Sequence, residues 1–388
     1  MHVGKLVFSQ LMDFVPWRRF ETCVRRYQGD RGVQSFPCAE HWRVMAFAQL
    51  TYRESLRDIE ACLGAAREKL YHLGLRGGVS RNNLSHANRQ RDWRIYADFA
   101  QVLMSQARAL YADEDLGIEL EATVYALDAS LIDVCLSLFP WARFRRHEGA
   151  VKVHALLNLR GWIPEFVLIS AGNLHDVNVL DQLTPVPGAY YVMDRGYLDF
   201  ARLHKLHEAR AYFVMRPRKN FVFQRRYSQA VDKTTSIRCD QTILLKSFYS
   251  LKGYPEPLRR IGYHDQQNNR RLVFVTNDFQ SPAATIAALY KSRWQIELFF
   301  KWIKQHLRIK AFYGTNANAV KTQIWIAIST YLLIAIVRKR LGISLPLYTI
   351  LQVLSVSLFE KTPLNQLFST EHLQMQQTTS PNQLLLFE

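Results

Sequence analysis

The chain has 388 residues, of which 48% are hydrophobic, and its formal net charge is +17 at pH 7. This apolar content excludes an intrinsically disordered chain and is sufficient for more than one core. The five cysteines form no CxxC pair, which argues against a zinc ribbon or a disulfide scaffold. We therefore expect buried thiols in a reducing compartment.

The positive charge is concentrated in two stretches of the chain. Residues 200–275 hold 16 Lys and Arg against 5 acids, and residues 291–340 hold 10 against a single acid. Segregated positive charge is typical of a protein that binds a polyanion such as DNA. The alternative is a solvated basic surface without a partner.

The sequence predicts a cytoplasmic protein. Its first residues lack the long apolar run of a signal peptide. The most apolar stretch, 324–337, is 14 residues long and contains polar side chains, so we expect a buried core helix rather than a membrane span.

Residues 1–115 are predicted to be helical. Apolar residues recur at helical spacing over 41–49 and 55–63. After Gly77-Gly78, either Ser80 or Asn82 caps a helix rich in arginine and asparagine. This region is either a DNA-binding unit of the helix-turn-helix kind or a helical cap with solvated arginines.

The pattern changes at Ala122 to that of an α/β layer with a central mixed sheet. Strands are predicted at 123–127, 151–159, 163–170, 189–193 and 211–215, and helices at 176–183 and 198–208. We expect Asp133 to lie in a loop, Asp176 to cap its helix, and Lys152 and His154 to pack in the sheet, with phosphate contact as the alternative.

Residues 217–276 lack helical periodicity and are predicted to form a β-rich insertion. Strand-like runs occur at 220–223, 242–249 and 271–276. Helices then follow at 281–307, 319–341 and 347–359, and the tail after Thr370 is predicted to be loose.

Asp128 and Asp194 share one context, since each directly follows a short apolar strand. Sites in open sheets are built at such strand ends. Two aspartates brought together there form an all-oxygen pocket that suits Mg²⁺ or Mn²⁺ rather than zinc. The alternative for each residue alone is an ordinary turn.

A third acid is predicted on the helix that follows the insertion. Four polar residues share one narrow face of this helix: Tyr290, Arg293, Glu297 and Lys304. Its opposite face is apolar: Ile296, Phe299, Trp302 and Ile303. Glu297 thus lies among cations, either as part of a site or in an ordinary surface pair with Lys301.

These residues carry a resemblance to a known family. The spacing Tyr290-x2-Arg293-x3-Glu297-x6-Lys304 resembles the Y-R-E-K signature of bacterial DDE-type insertion-sequence transposases, in particular the family founded on insertion sequence four. Residues 194–197, D-R-G-Y, resemble the block around that family's second aspartate. Residues 127–130 resemble the first block, which in the family often ends in Thr rather than Ser130. The resemblance spans about 120–310.

The resemblance implies an RNase H-like fold with an insertion between Asp194 and Glu297. It assigns 1–115 to a helical DNA-binding domain, 116–216 with 277–312 to the catalytic core, 217–276 to the insertion, and 313–388 to C-terminal helices and tail. The 103 residues from Asp194 to Glu297 exceed what a compact core needs, which leaves room for the insertion.

The resemblance also implies the chemistry. A phosphodiester is attacked in line by water or a 3′-hydroxyl, with one metal ion activating the nucleophile and a second stabilising the leaving oxygen. The catalytic acids and metal ligands would be Asp128, bridging two Mg²⁺ or Mn²⁺ ions, Asp194 holding one and Glu297 the other.

The expected partners are double-stranded DNA with terminal inverted repeats and target DNA, bound by a homodimer. The residues expected to contact DNA are Tyr290, Arg293, Trp294, Arg195 and Lys304. Arg293 and Lys304 would hold phosphates. Trp294 either stacks on a displaced base, as hairpin-forming family members require, or belongs to the core.

Two other functions remain open on the sequence alone. One is a metal-dependent nuclease of the same fold without strand transfer, and the other is a non-catalytic domesticated DNA-binding protein. The presence of all three acids argues against the second alternative.

The charge distribution predicts DNA binding that depends strongly on salt. With several phosphate contacts from 217–276 and 291–340, affinity for duplex DNA should fall by orders of magnitude between low and moderate salt, because each contact releases counterions. Gel-shift titrations over a salt series measure this slope. A nearly flat titration would contradict the electrostatic footprint.

Overall fold

The computed structural model describes residues 4–218, 220–232, 234–266, 268–306 and 312–369, so the predicted loose tail lies outside the described residues. The chain divides into two compact units. We call Ala112–Phe300 the sheet unit, and Met1–Tyr111 together with Lys301–Glu388 the helical unit.

Ten strands are described, all in the sheet unit. They are β1 (Val124–Val134), β2 (Arg143–Arg145), β3 (Glu148–Asn158), β4 (Ile163–Ala171), β5 (Tyr190–Met193), β6 (Tyr212–Met215), β7 (Phe223–Gln229), β8 (Ile237–Leu245), β9 (Leu258–Asp265) and β10 (Arg270–Thr276).

The α-helices of the described residues occur in both units. They are α1 (Val7–Met12), α2 (Trp17–Arg26), α3 (Cys38–Leu50), α4 (Leu56–Ala65), α5 (Arg81–Gln90), α6 (Arg94–Tyr111), α7 (Phe200–Glu208), α8 (Phe248–Gly253), α9 (Ala283–Ser292), α10 (Trp294–His306), α11 (Ala317–Arg340), α12 (Leu347–Ser357) and α13 (Leu364–Leu367). Short 3₁₀ turns occur as well, among them Asp176–Gln182 and Arg195–Tyr197.

The sheet has an RNase H-like core. Its strands run in the order β4-β3-β1-β5-β6, in which β3 is antiparallel to β4 and β1, while β1, β5 and β6 are parallel. The parallel step from β5 to β6 needs a crossover, which α7 supplies. The predicted α/β class with a central mixed sheet is confirmed.

Alternation along the strands separates the two faces of this sheet. Tyr125, Leu127, Tyr191 and Met193 belong to a buried cluster with Leu203 of α7. Because side chains of a strand alternate, Asp128 and Asp194 lie on the opposite face. Helix α9 contacts β5, β6 and β10 of the same sheet.

The insertion continues the central sheet. Strand β10 pairs antiparallel with β6, through Val275 with Met215 and Thr276 with Val214, and the order continues β10-β9-β8-β7. The predicted β-rich insertion is therefore confirmed, and its strands extend the core sheet.

Three elements of the insertion differ from the sequence-based boundaries. Strand β7 begins at Phe223, where a strand over 220–223 was expected. The run 242–249 divides into the end of β8 and the start of α8. Strand β9 was missed, because its sequence LRRIGYHD is rich in charge and contains glycine.

The helical unit is built around α11. This helix is long and apolar enough for a membrane span, but 94% of its apolar window is buried inside the structure, and it contacts α3, α5 and α6. Trp42 Nε1 donates to Ser329 Oγ at 2.9 Å in this core. The C-terminal helices and the N-terminal helices thus share one unit, whereas 313–388 was expected to stand apart.

Two helices of the N-terminal region, α4 and α5, begin at serine caps. Ser55 accepts from the Asp58 amide and Ser80 from the Asn83 amide, so Ser80 rather than Asn82 begins α5.

A buried ion pair ties the insertion to the loop before α9. Arg259 donates to both carboxylate oxygens of Asp240, at 2.9 and 2.7 Å, and to the carbonyl of Ser281 at 2.6 Å. Both charged side chains are almost fully buried. Removing one partner leaves the other charge uncompensated in a low-dielectric interior.

Asp240→Asn should therefore lower the free energy of unfolding by about 3–5 kcal/mol. The matched control is Asp181→Asn, which removes an exposed pair with Arg202 and should cost about 0–1 kcal/mol. Chemical denaturation of the full chain measures both. Equal, small effects of the two substitutions would contradict a structural role for the buried pair.

Candidate catalytic site

Asp128 and Asp194 come to equivalent positions on neighbouring parallel strands. The pairing of β1 with β5 ends at Leu127 opposite Met193, so each aspartate is the next residue beyond the ladder. Strand β1 does not end there, however, because it continues to Val134 in its pairing with β3. Asp133, expected in a loop, is therefore a strand residue.

Asp194 begins the 3₁₀ turn Arg195–Tyr197. Its Oδ1 accepts from the Gly196 amide at 2.6 Å, and any Cβ at position 196 would lie 2.8 Å from that oxygen. A side chain at position 196 would therefore push the Asp194 carboxylate away from this amide.

The helix predicted over 281–307 is two helices that meet at Arg293. Helix α9 ends at Ser292 and α10 begins at Trp294, and the Ile296 amide bonds three residues back to Arg293. Arg293 keeps αR dihedrals, so the shared face of Tyr290, Arg293 and Glu297 survives the irregularity.

Arg293 joins the acids of the sheet and the helix. Its Nη1 donates to Asp128 Oδ2 at 3.1 Å, and its Nη2 donates to Glu297 Oε1 at 2.5 Å. The observed partner of Glu297 is thus Arg293, four residues before it, where the simple-surface alternative had placed Lys301. The guanidinium lies between two of the three predicted catalytic acids.

The three acids interact electrostatically. The pKa of Asp128 is raised to about 6, mainly by burial and also by the nearby charges of Asp194 and Glu297, which together outweigh the lowering effects of the Ala129 amide and Arg293. Asp128 Oδ1 accepts from that amide at 2.8 Å. A carboxyl group held in this way is typical of a functional site.

Tyr197 was missed as a site residue. Its side chain is 1% exposed, and its hydroxyl has no hydrogen-bond partner among the described residues. Burial, followed by the charges of Asp128, Asp176 and Asp194, raises its pKa well above the usual range. Its position in the D-R-G-Y block was the available signal.

The residues predicted to contact DNA differ in accessibility. Trp294 is 58% exposed, so it is not a core residue, and Arg195 is exposed as well. Tyr290 is buried, with its ring 4.8 Å from that of Phe274 and 5.8 Å from the guanidinium carbon of Arg293. Lys304 lies further along α10, in the part that belongs to the helical unit.

Lys152 and His154 form a structural network with Asp176, which agrees with the expectation that they pack in the sheet. Lys152 Nζ donates to the Leu174 carbonyl at 2.8 Å and to Asp176 Oδ1 at 3.0 Å. His154 is buried, and burial lowers its pKa to about 4. Asp176 was expected to cap its helix, but the N-cap of this 3₁₀ turn is His175, and the Asp176 carboxylate accepts from Lys152 instead.

The donor set of the site fits a hard divalent cation. Asp128, Asp194 and Glu297 offer only carboxylate oxygens, which suit Mg²⁺ or Mn²⁺ better than zinc. Within the described residues, no three acidic, histidine or cysteine side chains are close enough together to hold a metal ion as they stand. Arg293 lies between Asp128 and Glu297 and occupies the position where a metal ion bound by both carboxylates would lie.

Comparison with known proteins identifies the family of this site. The model of the transposase DDE domain matches residues 119–333, and a model of a domain of unknown function matches residues 3–76. The transposase homologue y4zB of Sinorhizobium fredii is 32% identical over 282 residues, which cover 72% of this chain and 77% of that protein.

Two further similarities were found. A protein named as the transposase of insertion sequence element IS5377 of Geobacillus stearothermophilus is 31% identical over 54% of this chain and 55% of its own length. Among solved structures, a piggyBac transposase synaptic complex with hairpin DNA matches with a TM-score of 0.49 and 9% identity over 96% of this chain and 85% of that one.

The raised pKa of Asp128 predicts a pH-dependent stability cost. Between about pH 4 and 6 the folded protein keeps a proton that the unfolded chain has released, so this group's contribution to stability falls as pH rises and is fully unfavourable above pH 6.

Asp128→Asn removes this cost and should raise the free energy of unfolding at pH 7.5 by about 1–3 kcal/mol, with little change at pH 4. Asp133→Asn, an exposed position on the same strand, is the control. Denaturation curves at both pH values measure the difference. A stabilisation of the same size at pH 4 and pH 7.5 would contradict the assignment.

Proposed function

The chain belongs to the family of transposases with a DDE domain, and we propose that Asp128, Asp194 and Glu297 are the acids with which it cuts and joins DNA. The family makes the protein a DNA transposase and an enzyme, and fits the insertion sequence four group suggested by its Y-R-E-K spacing. DDE transposase domains use divalent metal ions.

The observation that carries the site assignment is the pair of ion contacts through Arg293. They join an acid of β1 to an acid of α10, and Asp194 lies beside the first of these at the end of the parallel ladder. Residues far apart in sequence thus meet around one guanidinium. A surface ion pair alone would not bring a buried strand aspartate into the same contact.

The three carboxylates would hold the metal, which we assign as two Mg²⁺ or Mn²⁺ ions. Divalent cations held there would activate the attacking oxygen and stabilise the leaving one. The chain's own residues position the reaction: the Gly196 amide fixes Asp194, and the Ala129 amide fixes Asp128. Buried Tyr197 excludes water from the inner side of the aspartates.

The DNA contacts are assigned by accessibility. Exposed Trp294 is suited to stack on an unpaired base, and exposed Arg195 and half-buried Lys304 to contact phosphates. Arg293 has the planar fork that binds phosphate bidentately. Tyr290 is buried beside Arg293, so we assign it to orient that side chain rather than to stack on a base.

The insertion offers a basic surface for the flanking duplex. Its edge strand β7 is exposed from Gln224 onward and carries Arg225 and Arg226, and Arg270 and Arg271 are exposed on β10. In contrast, the charge of Arg259 is neutralised by its buried ion pair with Asp240. The partners we assign are terminal inverted repeats and target DNA, bound by a homodimer in the cytoplasm, with α5 of the helical unit as a further DNA contact.

Glu297→Gln should abolish cleavage of DNA that carries the element ends while leaving DNA binding unchanged or tighter. Glutamine preserves the shape of the side chain, but its amide is a poor ligand for Mg²⁺, and one negative charge beside the phosphates is lost. Cleavage and gel-shift assays on the same DNA with Mg²⁺ or Mn²⁺ measure both effects.

The control is Glu208→Gln, which neutralises an exposed glutamate on α7 and should leave cleavage intact. Joining of the cut ends to a target plasmid distinguishes a transposase from a nuclease of the same fold. Normal cutting by the Glu297→Gln protein would remove this residue from the site.

A further inference from the structure

Both Nη atoms of Arg293 are engaged by acids that the proposed function assigns to metal binding. Nη1 bonds to Asp128 Oδ2 and Nη2 to Glu297 Oε1, and the Arg293 side chain is 16% exposed. The Ala129 amide takes the other oxygen of Asp128. Neither oxygen of Asp128 is therefore without a hydrogen-bond donor in this arrangement.

This arrangement and metal binding exclude each other. A divalent cation between Asp128 and Glu297 would lie where the guanidinium lies, and two positive groups against the same pair of carboxylates repel each other. Arg293 must leave before the acids can share a cation. Metal binding therefore carries the cost of breaking two charge-assisted hydrogen bonds, one of them to a largely buried aspartate.

We propose that Arg293 closes the metal site in the absence of DNA, and that a DNA phosphate opens it by drawing the guanidinium away from Asp128 and Glu297. The inference rests on the proposed function and adds an order of binding, in which DNA precedes the metal.

A phosphate is suited to this exchange because it offers the same bidentate geometry as a carboxylate. The Nε of Arg293 is buried without a hydrogen-bond partner among the described residues, so the guanidinium has an unused donor. The residue also lies at the junction of α9 and α10, outside both regular helices. The Glu297 side chain is 36% exposed, so the guanidinium of Arg293 can be reached by solvent and DNA from the side of Glu297.

The consequence is reciprocal coupling between the two ligands. If DNA raises the affinity for metal, then metal must raise the affinity for DNA by the same factor. Hydrolytic chemistry is thereby confined to the DNA complex, since the free protein does not assemble its cation site.

The experiment measures Mn²⁺ binding by electron paramagnetic resonance of the full chain, with and without duplex DNA carrying the inverted repeats that flank its gene, after subtracting Mn²⁺ bound to the DNA alone. The wild-type protein should bind Mn²⁺ about 10-fold more tightly with DNA, within the usual range of coupling between sites. This readout does not depend on catalytic activity.

Arg293→Lys provides the decisive variant. Lysine keeps the positive charge but is a single point donor that cannot bridge both acids as the guanidinium fork does. The variant should bind Mn²⁺ without DNA about as tightly as the wild-type complex does, so that most of the roughly 10-fold effect of DNA disappears. Arg216→Lys is the matched control, because the charge of Arg216 also acts on Tyr290 but is not paired with Asp128 or Glu297 among the described residues.

The outcomes separate the two proposals. Equal Mn²⁺ affinity with and without DNA, or an unchanged DNA-free affinity in Arg293→Lys, overturns the closed site while the catalytic assignment stands, provided that Asp194→Asn weakens Mn²⁺ binding. If Asp194→Asn has no effect, the proposed metal site fails and the inference fails with it. Arg293→Gln, measured in parallel with thermal unfolding of each variant, covers the case in which the lysine variant does not fold.

Discussion

The parallel pairing of β1 with β5 is the constraint on which the rest of the site depends. It ends at Leu127 and Met193, and so places the next residue of each strand, Asp128 and Asp194, side by side on one face of the sheet. Two carboxylates at this spacing repel each other and lose hydration on burial. The surroundings offset these costs with backbone amides at both aspartates and with a guanidinium at Asp128.

The insertion contributes to this site through the sheet rather than as a separate appendage. Strand β10 pairs with β6, and Arg259 of β9 bonds to the Ser281 carbonyl just before α9 begins. Helix α9 in turn leads directly to Arg293. The strands that carry the exposed arginines therefore belong to the same sheet as the core strands. Through the bond from Arg259 to Ser281 they are also linked to the start of α9, which leads to α10 and Glu297.

The sequence predicted the acids better than their contacts. An apolar run followed by Asp marks 128 and 194 because buried parallel strands are apolar, and the Y-R-E spacing marks one helical face. The sequence alone does not show whether Arg293 or Lys301 is the partner of Glu297, because both lie four residues from it. The junction at Arg293 contains neither glycine nor proline, and the continuation of β1 past Asp128 depends on its long-range pairing with β3, so neither carried a local signal.

The positive charge of the sheet unit has two physical roles. Arg259, Arg202 and Arg293 pair with acids and hold structure, whereas arginines such as Arg225 and Arg226 face solvent without neutralising one another. Like charges on one surface raise the free energy of the folded state, and a polyanion that covers them lowers it. A ligand that binds only the folded protein stabilises it by mass action. On the DNA-binding surface proposed above, the unneutralised charge that weakens the free protein would be the same charge that makes the DNA complex the more stable state.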